Sequence, residues 1–388
     1  MNFDQQFNRR QTNSFKWAVG ENKLPMSIAD MDFQTAPAIT NALAKKVKTG
    51  IYGYEMIPEA YYQAVGDWYA TEHHARPKRE WMLFVSGVVP ALASVLRRLT
   101  NPGDQILIQA PVYNMFFTTI QNNGRQVLSS DLVYDPKQHT YHIDWEDLEA
   151  KFAQPLTTMM ILCNPQNPGG MIWTKQELQH LAELGQKYGV TIFADEIHGD
   201  LTFNEGGYVP FFSLPEQFLQ AVVIAVSPSK TFNIAATHAA TLFVPNAYLR
   251  EVVDQGLQND GLTGVNLTAI PASIAAYTQS QEWYHELLDY LKGNLELVEQ
   301  TIKERLAGKV AVVPSAATYL VWLDISALSH DSVAFTDFLE STSGLILNPG
   351  TMYGEAGKHF VRMNVAYPRA VVADGLQRLI KGVKAWPK

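Results

Sequence analysis

Cysteine is nearly absent from this sequence, since Cys163 is the single one in 388 residues. No disulfide can therefore form within the chain, and nothing indicates an oxidising compartment. The sequence also lacks a run of about 18 apolar residues, which a helix needs to cross a bilayer. Its N-terminus has no apolar stretch of the kind found in secretory signals. These absences predict a soluble cytoplasmic protein that does not interact with membranes.

An excess of positive charge is absent as well. The chain has 30 Lys and Arg residues against 38 Asp and Glu residues, a formal net charge of −8. A nucleic-acid-binding surface needs a basic face, so this balance gives no electrostatic reason to expect such a partner. Hydrophobic residues make up 47% of the chain, which is enough for a sizeable core, and the length allows two domains.

Short apolar runs alternate with amphipathic segments between about residues 83 and 245. The amphipathic segments include residues 91–99 and 175–188. Alternation of this kind predicts an α/β fold with a mostly parallel sheet that is covered on both faces. The runs that we interpret as strands are 83–85, 105–108, 159–162, 190–194, 222–226 and 240–244.

The chain changes character after Pro271. Residues 272–307 have the pattern of one long helix, and shorter elements follow it. This part predicts a smaller α+β domain, which the N-terminal segment joins. We therefore expect a large domain over residues 45–275 and a small domain made of residues 1–44 and 276–388. The elements predicted after the long helix are strands near 310–313, 318–323 and 360–365 and a helix over 369–383.

Lys230 lies in the stretch Ser227–Asn233, directly after the apolar run 221–226. The end of a strand at the edge of an α/β sheet is where ligands usually bind. Taken alone, a lysine in such a stretch is more often part of a solvated loop. Its interpretation therefore depends on the other motifs of the chain.

Two further loops follow predicted strands and offer groups for a ligand. At Gly87 a strand turns into a helix, whose free N–H groups can hold a phosphate, although an ordinary strand–helix turn has the same pattern. Asn164 and Asn167 belong to a loop with two Asn-Pro steps, where side-chain amides can donate to a ligand oxygen. A turn that merely ends the strand is the alternative for this second loop.

Two charged residues lie at apolar positions, where a charge is costly unless it is paired. Asp195 ends an apolar strand, so its carboxylate needs a structural partner or the cationic ring nitrogen of a ligand. The nearby His198 and Asp200 also suggest a metal site, but no second histidine cluster stands at a comparable strand end. Arg362 lies inside an apolar strand and needs an anion, either a substrate carboxylate or a buried acidic side chain.

These motifs together resemble the fold-type I pyridoxal-phosphate enzymes, in which such groups occur in this order. More narrowly, nearly the whole chain resembles the bacterial cystathionine β-lyase-like C–S lyases of the class I/II aminotransferase superfamily. The resemblance implies an aspartate-aminotransferase-like fold and pyridoxal 5′-phosphate as the cofactor. The stretches that carry it are Lys16-Trp17, Ala29–Phe33, Gly53-Tyr54, Ser86–Ala91, Pro111–Tyr113, Leu162–Pro165, Asp195–His198, Ser229–Asn233 and Tyr319–Asp324.

The resemblance also implies a role for each matching residue. Lys230 would bind the cofactor covalently and act as acid and base at the substrate Cα. Asp195 would pair with the protonated ring nitrogen, and Arg362 would bind the substrate α-carboxylate. Further contacts with the cofactor are implied for Asn167, which would also approach the substrate, and for Tyr113, His198, Gly87, Val88, Ser227 and Ser229.

The resemblance extends to assembly. Tyr54 would reach the cofactor phosphate of a neighbouring subunit, where it would belong to the catalytic site. This implies a homodimer whose two active sites are shared between subunits.

Several positions depart from the pattern of the resembling family. Ile28 and Ala29 would lie beside the substrate, and Ser27-Ile28 replaces a usual Trp-Val pair. Gln166 replaces a usual histidine. We therefore expect a more open and less aromatic pocket wall near residue 28, and a substrate preference set there and around Gln166. The other departures are Ala235–His238, of which His238 is expected near the phosphate, and Ala317.

The expected reaction is β-elimination from cystathionine or related cysteine S-conjugates, with an amino acid as the substrate. Because transamination uses the same residues, an aminotransferase is the alternative. A non-catalytic regulator that binds the same cofactor is a more remote one. The intact Lys230 and the absence of an added helix-turn-helix segment disfavour it.

Overall fold

Each run predicted as a strand overlaps a strand of the structure, which also has short strands outside these runs. The structure is a computed structural model that describes residues 1–203 and 207–387. Its strands are β1 (Leu24–Pro25), β2 (Met82–Val85), β3 (Gln105–Ile108), β4 (Gln126–Ser129), β5 (Val133–Asp135), β6 (Thr140–His142), β7 (Thr157–Cys163), β8 (Thr191–Asp195), β9 (Val222–Val226), β10 (Ala240–Phe243), β11 (Ala311–Val312), β12 (Leu320–Asp324), β13 (Leu345–Ile346), β14 (Asn348–Pro349) and β15 (Phe360–Asn364).

A central sheet has the strand order β2-β10-β9-β8-β7-β3-β4. All neighbouring pairs are parallel except the two that β10 forms. The predicted mostly parallel sheet is therefore confirmed. The sequence pattern missed β4, because this strand lies at the sheet edge, where no residue of it is fully buried and no apolar run is needed.

Twelve helices of the described residues surround the sheets, and none of them is long and apolar enough to cross a membrane. The single helix predicted over residues 272–307 is wrong, because the chain leaves the helical conformation at Ser280, whose hydroxyl donates to the Ala275 carbonyl over 2.9 Å. The helices are α1 (Pro37–Val47), α2 (Glu59–Glu72), α3 (Val88–Leu99), α4 (Asn114–Asn122), α5 (Trp145–Phe152), α6 (Lys175–Tyr188), α7 (Pro228–Thr231), α8 (Ala247–Asn259), α9 (Ala269–Gln279), α10 (Gln281–Arg305), α11 (Ser332–Ser343) and α12 (Arg369–Ala385).

Both faces of the central sheet are buried. Side chains that alternate along β8 belong to two different cores: Ile192 packs in one core with Leu178 of α6, and Phe193 packs in the other with Leu92 of α3. Successive side chains of a strand point to opposite faces, so helices cover the sheet on both sides. This arrangement leaves the carboxyl ends of the parallel strands as the place for a ligand.

A second sheet of order β11-β12-β15-β14 is antiparallel. Beside it, β1 pairs with β13 in parallel, which attaches the N-terminal segment to the C-terminal part of the chain. Helix α1 packs against α9. The division into residues 45–275 and residues 1–44 with 276–388 stays a prediction.

Candidate active site

A cavity lies at the carboxyl ends of β7, β8 and β9. It brings together side chains from distant parts of the sequence, and eight of its lining residues are among those that the resemblance singled out. The lining residues are Ala29, Val88, Val89, Pro90, Tyr113, Cys163, Asn167, Asp195, Ile197, His198, Ser229, Lys230 and Ala235.

Lys230 lies in α7, a single turn that begins where β9 ends. The hydroxyl of Ser227 caps this turn by accepting a hydrogen bond from the Ser229 N–H over 3.1 Å. The ammonium of Lys230 donates to the Ala29 carbonyl over 2.6 Å. Burial lowers the pKa of Lys230 to about 8, and the charge of Arg362 acts in the same direction. The buried amine therefore loses its proton more readily than an ordinary lysine does.

Asp195 ends β8 and is almost fully buried. One oxygen accepts from the Ile197 N–H over 3.1 Å. Burial raises the pKa of this carboxyl to about 6, whereas that N–H and the charge of Lys230 lower it. No cation lies within ion-pair distance of Asp195 in the described part of the chain. A purely structural ion pair therefore does not explain its position, and a cationic ligand group fits it.

His198 also faces the cavity with an unused polar atom. The residue is 3% exposed, and its Nδ1 has no hydrogen-bond partner within residues 1–203 and 207–387. Burial, with the charges of Lys230 and Arg362, lowers the pKa of His198 to about 3, so the ring is neutral. A buried polar atom without a partner is costly, which makes this nitrogen a candidate ligand contact.

The acidic neighbours of His198 serve other purposes than metal binding. Glu196 accepts from the Asn164 amide over 2.8 Å and from the Phe211 N–H over 3.0 Å. Asp200 accepts from the Thr231 hydroxyl over 2.6 Å, beside Lys230. Over the described residues, no three His, Cys, Asp or Glu side chains converge as metal ligands would.

Arg362 and Asn167 contact each other at one side of the cavity. The Nη1 of Arg362 donates to the Asn167 Oδ1 over 3.1 Å, and its Nη2 donates to the Ser27 carbonyl over 2.8 Å. Its Nε is buried without a partner, and no acidic side chain pairs with it among the described residues. The alternative of a buried structural ion pair is therefore not what the structure shows. The guanidinium has hydrogens left for a ligand anion.

The other side of the cavity contains the start of α3. Gly87 precedes this helix with a φ of 153°, and Val88 begins it. Ser229 lines the same cavity. Ser227 does not line it, because its hydroxyl donates to the Ala239 carbonyl over 2.7 Å and caps α7. The free N–H groups of α3 with Ser229 form a suitable cradle for a phosphate.

Two tyrosines of the prediction have different surroundings. Tyr113 lines the cavity just before α4, and burial together with the charge of Asp195 raises its pKa to about 12, so the phenol is neutral. Tyr54 does not line the cavity and is fully exposed. Its neighbours Ile51, Tyr52 and Met56 are exposed as well, so this segment presents an apolar surface.

Two of the expected specificity positions do not line the cavity. Ile28 is half-buried, and its carbonyl accepts from the Asn364 amide over 2.6 Å. The side chain of Gln166 is buried, with its amide nitrogen donating to the Pro111 carbonyl and its oxygen accepting from the Gly169 N–H. Gln166 thus joins the loop before Tyr113 to its own loop. Both of its polar ends are therefore used within the chain, and its influence on substrate choice stays a prediction.

Sequence reasoning gave no role to several residues of the site. Ala235 was noted only as a departure, although it lines the cavity. Tyr319 is fully buried and donates to the Ala29 carbonyl over 3.1 Å, beside Lys230. Apolar lining residues carry no chemical signal of their own in a sequence. The cavity residues without a predicted site role are Val89, Pro90, Cys163, Ile197 and Ala235.

Comparison with known proteins places the chain in a family. The model of the family Aminotransferase class I and II matches residues 16–379, so this chain belongs to that family. It is 38% identical over 385 residues to the cystathionine β-lyase PatB of Bacillus subtilis, covering 98% of this chain and 99% of that protein. It is 32% identical over 364 residues to the protein MalY of Escherichia coli, covering 93% and 92% of the two chains.

Solved structures agree with this assignment. A PLP-bound putative aminotransferase from Clostridium difficile superposes with a TM-score of 0.95 at 31% identity, covering 98% of this chain and 99% of that chain. Cystalysin from Treponema denticola, solved with pyridoxal 5′-phosphate, superposes with a TM-score of 0.93 at 29% identity, covering 99% and 98%. The predicted aspartate-aminotransferase-like α/β fold is confirmed.

Proposed function

We propose that the protein is a pyridoxal 5′-phosphate-dependent C–S lyase of the cystathionine β-lyase type. It splits the Cβ–S bond of cystathionine and other cysteine S-conjugates, and with one water the products are a thiol, pyruvate and ammonia. The observation that carries this proposal is one cavity that holds the Lys230 amine and the buried Asp195 carboxylate. Similarity to named cystathionine β-lyases supports the choice of reaction.

The side chains around the cavity fit this cofactor. Asp195 offers a buried carboxylate to the cationic ring nitrogen, a partner that it otherwise lacks among the described residues. His198 offers an unpaired Nδ1 for the ring hydroxyl, which Asn167 also approaches. Tyr113, which lines the cavity, would pack on the ring face. Gly87 and Val88 at the start of α3, together with Ser229 of α7, would hold the phosphate, whereas Ser227 would act through its cap on α7.

The chain's own groups then bind the amino acid and move one proton. When bound, pyridoxal phosphate supplies an electron sink for the electron pair that is left on Cα. Arg362 binds the α-carboxylate and thereby points the Cα–H bond at Lys230. The neutral amine of Lys230 accepts that proton, and its pKa of about 8 suits a base that works near neutral pH. Asp195 would stay charged and would stabilise the positive ring nitrogen of the cofactor, while the sulfur leaves Cβ as a thiolate.

Transamination is the second candidate, because the same residues serve it and the C. difficile neighbour is described as a putative aminotransferase. The two reactions differ in their need for a keto acid. We expect the protein to release pyruvate and free thiol from cystathionine in equal amounts with no keto acid added. Turnover that begins only when a keto acid is supplied would favour the aminotransferase instead. Lys230→Ala is the control, and it should release neither product.

The protein is a homodimer in this proposal, and Tyr54 completes the phosphate site of the partner subunit. The exposed segment with Ile51, Tyr52, Tyr54 and Met56 supports it, since exposed apolar patches commonly mark interaction surfaces. Light scattering coupled to size exclusion should give twice the chain mass, and a monomer with full activity would contradict the shared site. The cytoplasmic location stays a prediction, which cell fractionation tests.

A further inference from the structure

The segment Ser27–Phe33 has almost no regular structure, yet side chains from elsewhere hold its backbone. The Ile28 carbonyl accepts from Asn364, and the Met31 carbonyl accepts from Asn233 over 3.0 Å. The carbonyl of Phe33 accepts from Asn233 as well, over 2.9 Å. This density of contacts is unusual for a loop, whose backbone groups normally face water. The segment is therefore fixed in place.

Two residues of the proposed mechanism are attached to this segment. Arg362 donates to the Ser27 carbonyl over 2.8 Å, and the Lys230 ammonium donates to the Ala29 carbonyl over 2.6 Å. Tyr319 donates to the same Ala29 carbonyl. The Ala29 oxygen therefore accepts a hydrogen bond from the Lys230 amine when this amine is not joined to the cofactor. The position of the Ala29 carbonyl thus fixes the position of the catalytic base.

Lys16 fixes the next residue of the segment. Its Nζ lies 2.6 Å from Asp30 Oδ1 and 3.2 Å from Asp32 Oδ1, and it donates to the Asp30 carbonyl over 3.0 Å. The ammonium also lies 4.2 Å from the centre of the Tyr367 ring. The side chain of Lys16 has no exposed surface, which is rare for lysine and requires such pairing.

Charge balance links Lys16 to the catalytic lysine. Burial would raise the pKa of Asp30, but the nearby charges of Lys16 and Arg9 outweigh it and lower that pKa. Asp30 in turn raises the pKa of Lys230, whereas Lys16 lowers it. The side chain of Arg9 is 26% exposed, so solvent screens its charge more than it screens the charge of the buried Lys16. The charged and titratable groups around Lys230 are Asp195, His198, Arg362, Tyr113, Tyr319, Asp30 and Lys16.

We propose that Lys16 is a positioning residue for the catalytic lysine. Its buried ammonium fixes the segment whose Ala29 carbonyl holds the Lys230 amine, and it balances the charge of Asp30 beside that amine. This role rests on the proposed function only in requiring that the cofactor binds to Lys230. It does not depend on which bond is cleaved.

The test is a pH titration of the visible absorbance of the cofactor-loaded protein, which reports the proton on the Lys230 nitrogen and therefore the balance of the Lys16 and Asp30 charges beside it. Lys16→Met removes a positive charge, so the protonated form is favoured and the midpoint should rise by about half a unit to one unit. The acidic limb of the kcat/KM profile should move in the same direction. Lys16→Arg keeps the charge and should restore the midpoint to within about 0.2 unit of the wild type.

Lys23→Met is the matched control, because Lys23 belongs to the same N-terminal segment but pairs with Glu340 at the surface. Its midpoint should equal that of the wild type. An unchanged midpoint in folded Lys16→Met, with only the rate reduced, would overturn the positioning role. Should Lys16→Met fail to fold, Asp30→Asn decides: it removes a negative charge, so its midpoint should fall, and an unchanged or raised midpoint overturns the proposal.

These outcomes are separate from those of the proposed function. A wild-type protein without any visible absorbance after loading would contradict the cofactor assignment itself. A normal absorbance titration together with no thiol release would contradict the lyase reaction and leave the role of Lys16 standing.

Discussion

The guanidinium of Arg362 donates to the side-chain oxygen of Asn167 over 3.1 Å. Arg362 belongs to β15 of the second, antiparallel sheet, and Asn167 belongs to the loop that follows β7 of the central sheet. The contact therefore joins the two sheets at the point where the substrate carboxylate is proposed to bind. Loss of this contact should weaken the recognition of the substrate and should also alter the position of the Asn167 loop, which is proposed to approach the cofactor.

Arg362→Lys should lower kcat/KM for cystathionine about 10- to 100-fold. Lysine keeps the positive charge, but it lacks the planar guanidinium and therefore loses one or more charge-assisted hydrogen bonds to the substrate carboxylate. Steady-state rates measure the effect. A cysteamine S-conjugate, which lacks the α-carboxylate, is the control substrate. Its slow turnover should change little between wild type and variant, and an equal loss on both substrates would contradict the role of Arg362.

Asp195→Asn should stabilise the cofactor-free protein while it abolishes activity. Burial raises the pKa of Asp195 from 3.8 to about 6, so the charged form is disfavoured in the fold. The charged carboxylate therefore lowers the free energy of unfolding. This loss is absent below pH 3.8, grows as the pH rises from the unfolded pKa of 3.8 to the folded pKa of about 6, and is complete above about 6. Denaturant unfolding at pH 8 should show a gain of roughly 1–3 kcal/mol, which shrinks toward pH 4.

The exposed Asp289 gives the control for this experiment. Asp289→Asn should leave the unfolding free energy unchanged at both pH values and keep full activity. A variant Asp195→Asn that is less stable than wild type at pH 8 would show that the carboxylate has a stabilising partner in the cofactor-free protein.

Gln166→Ala should destabilise the protein by about 1–3 kcal/mol, since it leaves the Pro111 carbonyl and the Gly169 N–H without their buried partner. The loops with Tyr113 and Asn167 lose their connection, so KM should rise as well. Thermal unfolding and steady-state rates measure both effects. Gln138→Ala, at an exposed position, should change neither. A large shift in the choice among thioether substrates would instead indicate that Gln166 contacts the substrate directly.

Tyr54→Phe should weaken cofactor binding by about 10-fold, because one hydrogen bond to the phosphate of the partner subunit is lost. Equilibrium dialysis of the cofactor measures this. Tyr52→Phe is the matched control, since Tyr52 lies two residues away and is also exposed. Equal affinities for Tyr54→Phe and wild type would remove Tyr54 from the phosphate site.

The sequence allowed a good prediction of the sheet and of the residues at its strand ends. Lys230 and Asp195 follow buried apolar strands directly, so local pattern and chain order were enough to place them at one edge. Other relationships depend on where a side chain points. Gln166 stands next to Asn167, yet it bonds the Pro111 carbonyl instead of facing the cavity. Periodicity carries no information on such directions.

Contacts between distant segments were equally hidden. Lys16 was recognised only as part of a resembling stretch, because its partner Asp30 and the dependence of Lys230 on Ala29 appear only in the folded chain. The break at Ser280 was missed because serine is compatible with a helix until its hydroxyl finds a backbone carbonyl. The Lys16–Asp30 pair, the Lys230–Ala29 contact and the helix break at Ser280 all depend on which hydrogen-bond partners the folded chain brings together.

The most direct test of the account is the identity of the residue that holds the cofactor. Borohydride reduction of the loaded protein makes the link between cofactor and lysine permanent, and peptide mass mapping then locates it. We predict the added mass on the peptide with Lys230 and on no other lysine. Label on a different lysine, or no label on a protein that still releases thiol and pyruvate, would contradict it.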